Sequence, residues 1–204
     1  MGVPQGSVLG PLLLCLYSND VKHLLNIAGV YRLSYADDLQ IYIQVPFDCL
    51  QEGLDALTAA AERVSAWAET NGLRLNASKT KAIIFGSKHA VKQVKALNLP
   101  GISMGGEVIP FSDEVLSLGV VLQNTLSWKS QIANITRKVN KALFGLRFIR
   151  ACTTQTLQKT LVEALIVPHL DYCSAVYLDL PFCLKIQLQR LANSAIYFLQ
   201  PTYE

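Results

Sequence analysis

Asp37 and Asp38 are two adjacent carboxylates preceded by Tyr35 and Ala36. The run before them, Val30-Tyr31-Arg32-Leu33-Ser34-Tyr35, alternates, and the run after them places Leu39, Ile41, Ile43 and Val45 on one face at the period of a strand. The acidic pair is therefore expected at the turn of a β-hairpin. Two carboxylates held within a few ångströms repel, and in a partly shielded place one is driven to take up a proton unless a cation compensates them. A divalent ion is the natural compensator. A solvated polar turn is the alternative that this stretch alone allows.

The elements that must position the pair follow along the chain. Gly2-Val3-Pro4-Gln5-Gly6-Ser7 is a loop of strong breakers. Val8 to about Asn26 reads as a largely buried helix, regular after Pro11, with Leu12, Leu13, Leu16, Leu24 and Leu25 inward. After the hairpin, Asp48 and Gln51 have the spacing of a capping box, and Leu50, Leu54, Leu57, Ala61, Val64 and Ala68 mark an amphipathic helix ending at Asn71-Gly72. Leu73 to Thr80 is a loop or short strand, and Ala82-Ile83-Ile84-Phe85 reads as a buried strand closed by Gly86. Residues 87 to 100 fit a basic loop or a strand. Gly105-Gly106 centres a short hairpin between Ile102 and Ile109, and Val115 to Val121 reads as a further strand. From Ser127 to Arg150 a long helix turns Ile132, Ile135, Val139, Leu143, Leu146 and Ile149 inward, with Arg137, Lys138, Lys141, Arg147 and Arg150 elsewhere. Further helices are expected at about 154 to 167, broken by Pro168, and at about 182 to 199. The shift near residue 125 to helices only marks a candidate domain boundary.

Composition narrows the class. The 204 residues are 51% hydrophobic, enough for a sizeable core, and the formal charge of +3 permits a nucleic-acid partner without requiring one. Five cysteines with no Cys-x-x-Cys argue against a disulfide framework and a thiolate zinc site. His23, His89 and His169 show no ligand spacing. With no basic leader and no apolar run near the roughly 18 residues of a membrane span, the expectation is a soluble, intracellular protein of nucleus or cytoplasm, neither secreted nor membrane-bound.

Four segments stand in the order and spacing of the reverse transcriptases of non-LTR retrotransposons. They are Gly2 to Pro11, Tyr35-Ala36-Asp37-Asp38, Asn71-Gly72-Leu73-Arg74-Leu75-Asn76-Ala77-Ser78-Lys79-Thr80, and Leu118-Gly119-Val120. The tail, with Leu126-Ser127-Trp128, Leu170-Asp171-Tyr172 and Leu188-Gln189-Arg190-Leu191, resembles the region after the palm in jockey-like elements. The resemblance implies an α+β fold. Residues 1–124 would form part of a right-hand polymerase palm, a catalytic β-hairpin with packed helices plus a primer-grip-like segment. Residues 125–204 would form an α-helical thumb-like region.

It also implies an RNA-directed DNA polymerase that adds dNTPs to a DNA primer on an RNA template by two-metal phosphoryl transfer. Asp37 would be the principal ligand of Mg²⁺, or of Mn²⁺ as a substitute, with Asp38 supporting. Tyr35 and Ala36 would lie against the primer terminus and incoming nucleotide. Pro4, Gln5, Gly6 and Ser7 would approach nucleotide and template, unless they only cap the following helix. Lys79 would place a cation near the leaving pyrophosphate, an ordinary surface lysine being the alternative. Leu118 and Gly119 would position the primer end, or form a plain strand. The cations of 137 to 150 would contact phosphates or simply face solvent.

In the family a third metal-binding carboxylate, an aromatic gate and basic fingers precede the Gly2 loop, and an endonuclease lies further upstream. Residues 1–204 contain none of these. The expectation is a fragment that binds Mg²⁺ weakly and does not turn over without an N-terminal fingers and palm segment as partner. A non-catalytic nucleic-acid-binding or protein-interaction remnant is the alternative.

Overall fold

The computed structural model describes residues 6–177 and 179–200. These form a mixed α+β arrangement in which, among the described residues, helices carry three separate two-stranded antiparallel hairpins. Two compact units divide it, residues 1–112 and 113–204. Among the described residues no helix is long and apolar enough to cross a membrane.

In the first unit, helix α1 (Gly10–Tyr17) leads through a 3₁₀ turn into the short α2 (Val21–Leu24). The long buried helix expected here is thus two short ones, and Leu12, Leu13 and Leu16 are exposed. The eight residues of α1 are apolar nearly all round, so no single face directs its packing. Hairpin β1 (Val30–Tyr35) and β2 (Asp38–Ile43) follows as expected. A lone hairpin is marginal in water, and this one gains its support from α3 (Leu50–Thr70). Val30, Leu39 and Ile41 pack with Trp67 against a core of Val21, Leu25, Ala60 and Val64.

The capping box at Asp48 and Gln51 does not form. Phe47–Cys49 makes a 3₁₀ turn, Cys49 precedes α3 without a side-chain cap, and Gln51 Nε2 instead donates to Asp55 Oδ1 at 3.0 Å. Asp48 already lies inside a helical turn, so its carboxylate is not at the cap position.

The strand expected at Ala82 to Phe85 is absent: one parallel bridge joins Ala82 to Phe111, and Phe85 is exposed. A single rung, Ser112 N donating to Ala82 O at 2.8 Å, cannot sustain a ladder. The undecided stretch 87 to 100 contains helix α4 (Lys88–Ala96), started by Ser87 Oγ accepting from Ala90 N at 3.2 Å. The Gly105-Gly106 hairpin forms between β3 (Ile102–Met104) and β4 (Glu107–Ile109), both glycines at positive φ as a type I′ turn requires. Glu62 of α3 holds it, accepting from Ser103 Oγ at 2.7 Å and from Gly105 N at 3.1 Å.

The second unit begins with a hairpin rather than a helix. Strands β5 (Glu114–Ser117) and β6 (Val120–Gln123) occupy the stretch expected as one strand, and they fold with residues 125 to 200. The two compact units divide before this hairpin, and the run of helices in the second unit starts at Lys129. The reason is local: Gln131 Oε1 of α5 (Lys129–Ile149) accepts from Val121 N at 2.9 Å. Helix α5 buries Ile132, Ile135, Val139, Leu143 and Leu146 against α6 (Gln155–Leu165), the short α7 (Val167–Asp171) and α8 (Phe182–Leu199). Ile149, expected inward, is exposed, because it ends the helix where the chain turns into a 3₁₀ segment. Thr154 caps α6 through Leu157 N at 3.3 Å, and Pro168 sits in the first turn of α7, where its missing N–H is not needed.

Candidate functional site

The acidic pair stands at the tip of the β1–β2 hairpin. Tyr35 pairs with Asp38, so Ala36 and Asp37 alone form the turn. Tyr35, Ala36, Asp37 and Asp38 are all exposed. Alternation puts Asp38 on the face of Tyr35, Leu33 and Tyr31, opposite the face packed on α3. On that outer face Tyr31 and Tyr42 stack with centroids 5.4 Å apart.

Ala36 has φ +51°, the left-handed region in which a Cβ is strained. A two-residue hairpin turn with positive φ at its first position favours glycine there. Ala36→Gly is therefore expected to stabilise the first unit by about 1 kcal/mol, seen as a higher denaturant midpoint.

Helix α3 also organises the other candidate residues of this unit. Tyr17, at the end of α1, packs on Trp67 with centroids 6.2 Å apart, and its hydroxyl donates to Asn71 O. Asn71 and Gly72 close α3 and lead to Asn76, whose carbonyl and side chain gather the turn that follows. Lys79 N donates to Asn76 O at 3.1 Å and to Asn76 Oδ1 at 3.2 Å, while Ser78 Oγ donates to Asn76 Oδ1 at 2.6 Å. Lys79 is exposed on a backbone fixed by these bonds to Asn76. The expected reading of Asn76 gave it no part; its position three residues before Lys79 was the available signal.

Pro4 and Gln5 lie outside the described residues. Gly6 is exposed at φ +87°, and Ser7 O accepts from Gly10 N at 3.3 Å at the start of α1. Ser7 Oγ is buried and has no hydrogen-bond partner among the described residues.

Leu118 and Gly119 belong to the second unit, where they form a type I′ turn with φ +46° and +81°. Tyr172, after α7, braces this turn: its hydroxyl donates to Leu118 O at 2.7 Å, and its ring covers Gly119. Tyr177 in turn donates to Tyr172 O at 3.0 Å and packs against Trp128 at 5.9 Å. The Leu170-Asp171-Tyr172 segment and the Leu118-Gly119 segment, read separately in the sequence, are thus one assembly. A Cβ on Gly119 would stand 3.2 Å from Tyr172 Cε1 at an unfavourable φ. Gly119→Ala is expected to cost about 1–2 kcal/mol, measured by Trp128 fluorescence on unfolding.

Burial, reinforced by Cys173 and Asp171, raises the Tyr177 hydroxyl above its ordinary value of 10.0. The folded state therefore holds this proton more tightly than the unfolded chain. Its contribution to stability is full below pH 10.0 and is lost as pH rises through the folded value. Alkaline unfolding of the second unit is expected to shift accordingly, and Tyr177→Phe to remove that component.

Among the described residues no group of three or more His, Cys, Asp or Glu side chains is placed to hold a metal ion. The carboxylate pair is a hard-oxygen donor set. That fits Mg²⁺, which one or two carboxylates hold together with substrate phosphates and water more often than a closed protein cage does.

The family model of reverse transcriptase (RNA-dependent DNA polymerase) matches residues 1–122. The chain belongs to the reverse transcriptase family. It is 26% identical over 184 residues to the RNA-directed DNA polymerase from mobile element jockey of Drosophila funebris, covering 86% of this chain and 19% of that protein. To the probable RNA-directed DNA polymerase from transposon X-element of Drosophila melanogaster it is 27% identical over 176 residues, 84% of this chain and 18% of that protein. The probable RNA-directed DNA polymerase from transposon BS, also of Drosophila melanogaster, is 26% identical over 153 residues, 72% and 16% of the two chains. The chain spans less than a fifth of the length of these reverse transcriptase relatives. No solved structure gives a significant match.

Proposed function

We propose that this chain supplies the metal-binding hairpin of an RNA-directed DNA polymerase of a non-LTR retrotransposon, with residues 1–124 palm-like and residues 125–204 thumb-like. The observation that carries this is the Asp37-Asp38 pair, set at the exposed tip of a two-residue β-turn within the stretch that matches the family. Asp37 and Asp38 hold divalent metal, Mg²⁺ or Mn²⁺ in its place. When bound, the metal supplies Lewis-acid activation of the primer 3′-hydroxyl and charge stabilisation of the triphosphate.

The remaining roles belong to the chain itself. Ala36 presents only a methyl group beside the carboxylates, leaving room for a sugar, while Tyr35 offers a ring to the primer end. Gly6, with no Cβ, lets the Pro4-Gln5-Gly6-Ser7 loop come close to nucleotide and template. Lys79, on its fixed turn, directs a cation at departing pyrophosphate. The Leu118-Gly119 turn, braced by Tyr172, bears on the primer backbone. The substrates are an RNA template, a DNA primer and dNTPs. Exposed leucines of α1 suit contact with further polymerase polypeptide carrying fingers and a third carboxylate.

Primer extension tests the reading. Residues 1–122 are placed in a jockey polymerase in exchange for its matching segment, then given RNA template, primer, dNTPs and Mg²⁺. Extension that disappears with Asp37→Asn is expected; extension indifferent to that change shows idle carboxylates. Residues 1–204 alone are expected to bind primer-template without extending it.

A second reading, a nucleic-acid-binding module without catalysis, is favoured by the basic face of α5, which needs neither carboxylate. Primer-template binding by residues 1–204 together with an inert Asp37 in the chimera selects it.

A further inference from the structure

Helix α5 carries Lys129, Arg137, Lys138, Lys141 and Arg147 and not one acidic residue. Arg150, at its end, is occupied: its Nη2 donates to Gln200 O at 2.6 Å and its guanidinium lies 5.5 Å from the Phe198 ring centroid. The others are different. Arg137, Lys138, Lys141 and Arg147 are exposed, and among the described residues none pairs with a carboxylate.

At 100° per residue, Arg137, Lys141, Phe144 and Phe148 fall on one stripe, with Lys138 and Arg147 flanking it. The two phenylalanines do not join the core. They are 62% and 71% exposed, and they meet edge to face with centroids 4.8 Å apart and planes at 82°. Two perpendicular rings make a ledge and a wall, and both side chains are largely exposed. One group per helical turn, cation, cation, ring, ring, extends about 16 Å along the helix.

We propose that this stripe of α5 is a stacking ledge for single-stranded nucleic acid. Arg137 and Lys141 take successive phosphates, and Phe144 and Phe148 stack on the unpaired bases next to them. An apolar protein surface would cover the rings but leave four unneutralised cations around them, whereas a polyanion with exposed π-faces satisfies both. Paired bases in a duplex keep their faces stacked on one another, so the rings select unpaired strands. The proposal rests on the reading of α5 as a nucleic-acid surface and not on the metal pair. Its failure leaves the hairpin reading standing.

Fluorescence anisotropy of residues 1–204 with a labelled oligothymidylate, and with an abasic strand of equal length, tests it. The expected result is measurable binding at low salt, weakened about tenfold by Phe144→Ala and again by Phe148→Ala. Phe144→Trp is expected to preserve it. Arg137→Gln with Lys141→Gln is expected to reduce the salt dependence by about one unit of slope per residue. The abasic strand should bind the unaltered chain as weakly as oligothymidylate binds the double phenylalanine variant. Circular dichroism confirms that each variant folds. Equal affinity for base-bearing and abasic strands, phenylalanine variants that bind normally, or no binding at low salt overturns the proposal. So does a double phenylalanine variant that only disperses self-associated protein on sedimentation, since the ledge is then a protein interface.

Discussion

Asp37→Asn is expected to lower RNA-templated primer extension by about a thousand-fold or more in a polymerase that uses this hairpin. The substitution keeps the side chain's size and removes one negative charge from the metal's immediate surroundings. Metal stabilisation of transition-state charge is worth several kcal/mol, and about 4 kcal/mol corresponds to a factor near a thousand. Folding should not suffer. Asp37 is exposed, and its side chain makes no hydrogen bond or ion pair among the described residues, so removing its charge breaks no contact that holds the fold. The measurement is extension rate beside the thermal midpoint of the same variant: a large loss in the first with no fall in the second. Asp38→Asn should cost less, since Asp38 is assigned the supporting position.

The largest expected loss of stability lies elsewhere, in the second unit. Leu143 is almost wholly buried on α5, in a cluster with Ile132, Val139, Ile166 and Phe198. Leu143→Ala removes buried methyl groups and leaves a cavity that helices on several sides cannot close, at a cost of about 2–5 kcal/mol. The chain has two tryptophans, Trp67 in the first unit and Trp128 in the second, which packs against this cluster. In a Trp67→Phe background, Trp128 fluorescence follows the second unit, and its denaturation midpoint should fall steeply with Leu143→Ala. A change below 1 kcal/mol would mean that the α5 core is loosely packed.

The β1–β2 hairpin could be read in the sequence because Leu39 and Ile41 alternate on a face that α3 covers. The α5 core could be read because Ile132 to Leu146 repeat at helical spacing and the surrounding helices bury that stripe. The Leu12 to Leu16 run misled, because an apolar run reports the wish for burial and not the presence of a covering element. Ala82 to Phe85 misled for a related reason: β-propensity is realised only when a neighbouring strand supplies the ladder. Asp48 failed as a cap because the 3₁₀ turn from Phe47 moved the helix entry beyond it.

From residue type and order the acidic pair could be placed at a hairpin turn, where it stands, and Lys79 could be singled out as a cation, which is exposed. The brace between Tyr172 and Leu118 could not, since it joins residues far apart in the chain through one hydroxyl. Arg150, grouped in the sequence with the cations expected to contact phosphates or solvent, instead directs its charge to Gln200 O and the Phe198 ring, partners about fifty residues away that its own helix does not reveal.

The central claim, that Asp37 and Asp38 form a metal-holding pair, is tested most directly by adding Mn²⁺ to isotopically labelled residues 1–204 and following amide signals. The expected result is paramagnetic broadening centred on Ala36 to Leu39, appearing only at high Mn²⁺ concentration, displaced by Mg²⁺, and absent when both aspartates are replaced by asparagine. Broadening that is missing from this turn, or that persists in the double variant, would contradict the account.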